Sequence, residues 1–306
     1  MAVLNESIER CEVKAFKVPT DSPESDGTLE WDSTTLVLVE LRSGKTSGLG
    51  YTYADASCAS LVREKLFPLV QGGDAMTIRG HWEKMKAAVR NLGSRGLAAT
   101  AVAAVDVALW DLKARLVNRP LLGLLGGVRG KIPVYGSGGF TSYSEQQLRR
   151  QFGGWAAEGI SMVKMKVGRK PAEDSARVGQ ARQAIGDSMG LFVDANGAYA
   201  PKQAFAAAEE FAGQGVSWFE EPVSSDDLAN LRFIRECAPP GMEISAGEYN
   251  YDCIEAGKML EARAVDVLQA DATRCGITGF LQMAGLCDAF QMPLSSHTAP
   301  ALHAHL

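Results

Sequence analysis

Six polar groups recur at near-regular intervals in the second half of the sequence, each close after a short apolar run. The intervals between them are 28, 26, 28, 23 and 26 residues, each about the length of one strand–helix unit. The six groups are Lys166, Asp194, Glu220, Glu248, Asp271 and His297. Barrel enzymes build their active sites at the C-terminal ends of their strands. The spacing therefore predicts that all six groups meet at one barrel mouth.

Three of these groups are carboxylates that end neighbouring predicted strands: Asp194, Glu220 and Glu248. Three converging anions repel one another unless a cation lies between them. An all-oxygen ligand set suits Mg²⁺. The alternative is that each carboxylate caps a helix or pairs with a surface lysine. Because the three recur in phase, we favour the metal site.

The remaining groups could act on protons. Lys164 and Lys166 are two residues apart on one predicted strand, so both side chains point to the same side. Two adjacent ammonium groups depress each other's pKa, which predicts that one is neutral near pH 7 and acts as a base. Asp271 and His297 end adjacent strands, which predicts a hydrogen-bonded dyad with a more basic imidazole. The alternatives are a solvated lysine pair and a structural histidine. No role is expected for His303 or His305.

Seven apolar runs alternate with helical stretches after residue 131 and predict the elements that carry these groups. The runs are 132–136, 162–167, 191–195, 216–220, 243–247, 264–270 and 292–296. This alternation favours a TIM-type (β/α) barrel over the alternative, an open doubly wound sheet. An eighth unit does not fit in the remaining sequence. We expect a barrel that lacks its last unit here, and a natural protein that continues by roughly 60 residues or more.

The first third of the sequence has a different pattern. Residues 34–41 and 47–53 predict two strands joined by a turn at 42–45, and residues 11–19 predict a third strand. An apolar stripe with helical spacing predicts a helix over 97–117. We therefore expect an α+β capping domain over residues 1–126 and a barrel domain over 127–306, incomplete at its C-terminus.

Composition excludes several classes of partner. The net charge is −5 and no basic stripe is present, which argues against nucleic acid. No apolar run is long enough for a membrane span, and no secretory signal is recognisable. Six scattered cysteines without a CxxC pair indicate reduced thiols. These features favour a cytoplasmic protein.

The site motifs together resemble those of the enolase superfamily, in particular its mandelate racemase-like subgroup, the mandelate racemase/muconate lactonizing enzyme family. Residues 100–127 are also similar to that family's linker between capping domain and barrel. The motifs are KMK at 164–166, DANGAY at 194–199, FEEP at 219–222, GE at 247–248, RCGITG at 274–279 and SSH at 295–297.

This resemblance implies a role for each residue. It assigns Asp194, Glu220 and Glu248 as Mg²⁺ ligands and Asn196 as a substrate contact. It places Lys166 as a base on one face of the substrate, with Lys164 beside the substrate carboxylate, and His297 with Asp271 as the base on the opposite face. The step shared across the superfamily is abstraction of the proton α to a carboxylate, through an enediolate that the metal stabilises.

Three features depart from the family pattern. Gly276 stands where the family usually has two consecutive glycines, and the family's glutamate on the eighth strand has no counterpart. The acidic segment 21–32 lies where the family has a capping loop, although it could also be a mobile solvated loop.

The leading expectation is a Mg²⁺-dependent acid-sugar dehydratase, which binds a small carboxylate substrate and, by resemblance, forms a homo-oligomer. The alternatives are a racemase or epimerase of a 2-hydroxy acid, and a non-catalytic barrel that binds a sugar acid.

Overall fold

The computed structural model describes residues 6–306. Its first sheet is antiparallel, with strands in the order β1, β2, β3. The strands are β1 (Arg10–Ser25), β2 (Glu30–Ser43) and β3 (Thr46–Tyr53). Alternate residues Val37, Val39 and Leu41 of β2 are fully buried, as expected for a sheet with one face on the core. All three predicted strands lie within these bounds.

The helices of this first part cover the buried face of the sheet. They are α1 (Ser57–Leu61), a π-helical turn (Val62–Leu66), α2 (Phe67–Val70), α3 (Ile78–Val89), a 3₁₀ turn (Arg90–Leu92), α4 (Leu97–Leu116) and α5 (Leu121–Leu124). The long helix α4 confirms the prediction for 97–117. It packs closely on β3 because Gly48 and Gly50 have no Cβ, which would otherwise clash with the backbone of α4.

The second sheet has seven parallel strands, each followed by a helix. The strands are β4 (Gly136–Gly138), β5 (Met162–Lys166), β6 (Gly190–Asp194), β7 (Val216–Glu220), β8 (Glu243–Ala246), β9 (Val267–Ala270) and β10 (Leu294–Ser296). The helices are α6 (Glu145–Ala157), α7 (Pro171–Ile185), α8 (Pro201–Ala212), α9 (Leu228–Cys237), α10 (Cys253–Glu261), α11 (Ala272–Ala289) and α12 (Pro300–His303).

The strand order follows the chain from β4 to β10 without a reversal. A doubly wound sheet needs such a reversal, so that alternative is wrong. The order is that of an incomplete TIM barrel, and within residues 6–306 it contains seven strands, as the sequence predicted. The division between domains at residue 126 stays a prediction.

The first barrel strand departs from the prediction. Residues 132–136 were expected to be extended in the sheet, but β4 begins only at Gly136. Ile132 and Val134 are each 52% exposed. Because β4 pairs only with β5, and over three residues, the preceding apolar residues are not part of the sheet.

No helix in the described part of the chain is both long and apolar enough to cross a bilayer.

Candidate active site

The sheet register brings the chemically active side chains to one level at the barrel mouth. Lys166 is paired with Asp194 across β5 and β6, and Asp194 is paired with Glu220 across β6 and β7. Paired residues of parallel strands point to the same face of the sheet. The register therefore brings these three of the six predicted groups together.

The three carboxylates predicted to bind a metal form one cluster. Asp194, Glu220 and Glu248 are buried, and one oxygen from each lies within 4.8 Å of the others. Glu248 reaches the cluster through Gly247, whose φ of +130° lets the chain turn directly after β8. A Cβ at Gly247 would clash with the backbone of Gln269. Glycine is thus required at this turn.

Both lysines point into this cluster, as predicted. Lys164 Nζ lies 2.5 Å from Glu220 Oε1, and Lys166 Nζ lies 2.5 Å from Asp194 Oδ2. Burial opposes the charged form of each lysine, but the pKa of Lys164 is still raised, chiefly by Glu220. Asp194 likewise raises the pKa of Lys166, although Lys164 lowers it. In this arrangement the carboxylates outweigh the repulsion between the two lysines. A neutral lysine near pH 7 stays a prediction.

The predicted dyad between Asp271 and His297 is present. His297 Nδ1 lies 3.0 Å from Asp271 Oδ2, and His297 Nε2 lies 2.9 Å from Glu248 Oε2. Burial lowers the pKa of His297, but Glu248 and Asp271 together raise it to about 9. The imidazole thus joins the dyad to the carboxylate cluster.

Asn196 connects Asp194 to Lys166. Its backbone N–H donates to Asp194 Oδ1 at 2.9 Å, and its side-chain Oδ1 accepts from Lys166 Nζ at 2.9 Å. The residue has a φ of +47°, in the left-handed region, where asparagine is tolerated better than most residues. Asn196 therefore orients two neighbouring groups, and its contact with a substrate stays a prediction.

Glu221 departs from simple strand alternation, which would place it on the face opposite Glu220. Its φ is +41°, outside the strand region, and its side chain is buried. Burial and repulsion from Glu248 and Asp194 raise its pKa well above the usual range for a carboxyl group. The left-handed backbone thus ends the strand alternation directly after Glu220.

Sequence reasoning gave no role to Arg274. Its guanidinium lies 4.8 Å from the ring centre of Tyr249 and 5.9 Å from that of Tyr251. Its Nε lies 3.6 Å from Asp271 Oδ2. The only available signal was its place at the start of the RCGITG motif, three residues after Asp271.

The acidic segment 21–32 forms the end of the hairpin between β1 and β2, where it packs on residues that follow the barrel strands. Thr141 N–H donates to Ser25 O at 2.8 Å, and Trp31 packs edge-to-face on Phe140 with ring centres 5.7 Å apart. Gly27 lies so close to the carbonyl oxygen of Ala195, just after β6, that a Cβ would clash with it. The segment therefore lies against the residues that follow β4, β5 and β6, at the barrel mouth.

The donor set fits a divalent cation. Asp194, Glu220 and Glu248 offer only carboxylate oxygens, the hard ligands that Mg²⁺ prefers, and they are close enough to share one ion. An ion there would also offset the negative charge that raises the pKa of the lysines. On chemistry and distance, the site is suited to Mg²⁺.

The sequence of this chain is similar to those of known protein families and of proteins with assigned activities. Residues 10–126 match the model of the mandelate racemase/muconate lactonizing enzyme N-terminal domain, and residues 147–306 match that of the enolase C-terminal domain-like family. A 3,6-anhydro-alpha-L-galactonate cycloisomerase of Streptomyces coelicolor is 34% identical over 97% of this chain and 84% of its own length.

Two solved structures are also similar. A mandelate racemase/muconate lactonizing enzyme-like protein from Rubrobacter xylanophilus has 53% identity and a TM-score of 0.95, over 98% of this chain and 83% of its own. The L-talarate/galactarate dehydratase of Salmonella typhimurium LT2, liganded with Mg and L-lyxarohydroxamate, has 27% identity and a TM-score of 0.91. That match covers 99% of this chain and 80% of the dehydratase.

Proposed function

The chain belongs to the mandelate racemase/muconate lactonizing enzyme family of the enolase superfamily, and from this membership we propose that it is a Mg²⁺-dependent dehydratase of acid sugars. The observation that carries the proposal is the convergence of three buried carboxylates, Lys166 and His297 at one barrel mouth. Relatives of this chain include a dehydratase and a cycloisomerase of acid sugars. Dehydration needs a base that takes the α-proton and an acid that protonates the leaving hydroxyl, and Lys166 and His297 would fill these two roles.

The carboxylates Asp194, Glu220 and Glu248 would hold the ion. When bound there, Mg²⁺ supplies positive charge beside the substrate carboxylate, where negative charge builds as the α-proton leaves. Lys164 adds a second, fixed positive charge at the same place, because its Nζ lies next to Glu220 and Asp194. Both charges favour the enediolate over the starting acid.

Lys166 and His297 would exchange protons with the substrate. One of them takes the α-proton from C2, and a C2–C3 double bond forms as the C3–O bond breaks. The protonated imidazole of His297 donates its proton to the departing hydroxyl, which leaves as water. The enol then tautomerises to a 2-keto-3-deoxy acid. Asp271 keeps His297 in the tautomer that this transfer needs, through the 3.0 Å hydrogen bond to Nδ1.

Cycloisomerisation is a second candidate, favoured by the 34% identity with the cycloisomerase. In a 3,6-anhydro sugar acid the ether oxygen on C3 occupies the same β position as the hydroxyl lost in dehydration. The same base and acid could therefore open the ring without loss of water. A racemase or epimerase would use the same two bases without breaking the C3–O bond, and no observation favours it over dehydration.

A substrate screen tests the proposal. The protein is incubated with Mg²⁺ and a panel of aldonates, aldarates and 3,6-anhydro sugar acids that includes galactarate and L-talarate. Formation of a 2-keto acid with the mass of substrate minus one water supports dehydration. A 2-keto acid of unchanged mass would show cycloisomerisation, and epimers without a keto product would show a racemase. Binding without any turnover would favour the non-catalytic barrel. Glu248→Gln is the inactive control.

A further inference from the structure

The Asp271 carboxylate is held on both of its oxygens. Oδ2 accepts from His297 Nδ1 at 3.0 Å. Oδ1 accepts from the backbone N–H of Thr273 at 2.7 Å and from its Oγ1 hydroxyl, also at 2.7 Å. A hydroxyl has one proton to donate, and that of Thr273 is committed to Asp271. The orientation of the carboxylate toward His297 is therefore set by Thr273.

Thr273 is in turn anchored from the capping sheet. Thr52 of β3 donates its hydroxyl to the backbone carbonyl of Thr273 at 2.6 Å, and both threonines are buried. The hydrogen bonds run without a break from Thr52 through Thr273 and Asp271 to His297. Two side chains separated by 221 residues in sequence thus fix the start of α11, where Asp271 caps the helix.

We propose that Thr273 is a positioning residue that aims the Asp271 carboxylate at His297, and that Thr52 extends this support to the capping sheet. A carboxylate bound on one oxygen only can rotate about its Cβ–Cγ bond. Two hydrogen bonds to the second oxygen remove that freedom, and bonds to a charged acceptor are among the stronger ones in proteins. An effect of Thr273 on catalysis rests on the proposed function. An effect of Thr273 on the hydrogen bond between Asp271 and His297 does not.

Thr273→Val is the test variant because it removes the hydroxyl and keeps the branched shape and the backbone N–H. Thr273→Ser, which keeps a hydroxyl, is the rescue variant. Thr278→Val is the matched control, since Thr278 is also a buried threonine of α11 and its hydroxyl donates to Asp106 at 2.6 Å, away from the dyad.

The first readout needs no substrate. In protein labelled with ¹⁵N-histidine and saturated with Mg²⁺, the Nδ1–H resonance of His297 is identified by its loss in His297→Asn. We expect its exchange with solvent to be about tenfold or more faster in Thr273→Val, and close to wild type in Thr273→Ser and Thr278→Val. His81 is an internal control, because its Nε2 donates to Asp74 O at 2.9 Å, away from the dyad, and should not change.

The second readout uses the acid sugar turned over fastest in the screen, and its C2 epimer. Thr273→Val should lower α-proton exchange on the His297 face by about tenfold or more, and leave the Lys166 face near the wild-type rate. An equal loss on both faces would overturn the proposal, since it would indicate a structural role alone. Unchanged His297 exchange in Thr273→Val, or the same effect in Thr278→Val, would also overturn it.

If Thr273→Val does not fold, Thr52→Val replaces it. This variant should also make Nδ1–H exchange at His297 faster than in the wild type, by less than the roughly tenfold increase expected for Thr273→Val. No change in that variant would contradict the proposal. If no acid sugar is turned over, the proposed function fails, yet the NMR result still decides the role of Thr273.

Discussion

Lys164 Nζ and Glu220 Oε1 lie 2.5 Å apart, with both side chains almost completely buried. A second lysine, Lys166, pairs with Asp194 beside them. The ammonium groups of the chain itself therefore offset part of the negative charge of the metal cluster. Removing one partner of a buried ion pair leaves an uncompensated charge, which is costly.

Lys164→Met should destabilise the metal-free protein. We expect the free energy of unfolding to fall by about 3–5 kcal/mol, because Glu220 loses its buried counter-ion. Mg²⁺ should then raise the stability of the variant more than that of the wild type, since the cluster gains its missing positive charge. Urea denaturation with and without Mg²⁺ measures both effects.

Lys170→Met is the control for this change. Lys170 pairs with Glu173 at the surface, where both side chains are more than half exposed, and such pairs contribute little. A Lys164→Met variant as stable as Lys170→Met would contradict the account of the buried pair.

Glu248→Gln should abolish tight Mg²⁺ binding. The substitution removes one of three charged ligands but keeps the side-chain volume. We expect calorimetry to show Mg²⁺ affinity lowered by at least about 10–100-fold, and the metal-dependent rise in Tm to be lost. Glu243→Gln changes an exposed carboxylate at the start of β8, the strand that precedes Glu248, and should bind as the wild type does. Equal affinity in the two variants would place the ion elsewhere.

Asp106, which lies at the contact between α4 and α11, should make the free energy of unfolding depend on pH. It is fully buried, and its oxygens accept from Thr278 N–H at 2.8 Å and from Thr278 Oγ1 at 2.6 Å. Burial raises the pKa of Asp106 to about 7, from 3.8. Between these values the folded state binds a proton that the unfolded state has lost. This residue's contribution to stability therefore falls as pH rises from about 4 to about 7.

Asp106→Asn should remove that dependence. We expect the stability of the wild type relative to the variant to fall by about 1 kcal/mol for each pH unit in this window. Urea denaturation from pH 5 to pH 8 measures it. Asp111→Asn, on the same helix but partly exposed and paired with Arg115, is the control for the loss of a carboxylate from α4. A difference between wild type and Asp106→Asn that is constant with pH would refute the assignment.

The six groups at the mouth were predictable because the C-terminal ends of all strands in a parallel barrel lie at the same end of the barrel. Asp194 and Glu220 recur one unit apart, so their spacing alone places them side by side. Asp271 and His297 are also one strand–helix unit apart, so the same spacing predicts that they form a dyad. The raised pKa of the two lysines did not follow, because it depends on how closely each ammonium group approaches a carboxylate.

Three other features depend on details that periodicity does not carry. Glu221 leaves the strand alternation because of a single positive φ. Thr52 reaches Thr273 across 221 residues, through the packing of β3 on α11. Residues 132–135 have the apolar pattern of a strand but are not part of the sheet, since β4 pairs only at Gly136–Gly138.

The most direct test of the account is solvent deuterium uptake at C2, followed by proton NMR in D₂O with Mg²⁺. The substrates are an acid sugar accepted in the screen and its C2 epimer. Wild type should exchange the α-proton of both epimers. Lys166→Ala should lose exchange with one epimer and His297→Asn with the other, each by about 10²–10⁴-fold. Asp271→Asn should weaken only the face served by His297. Loss on the same face in both single variants, or no loss in either, would contradict the assignment of two opposed bases.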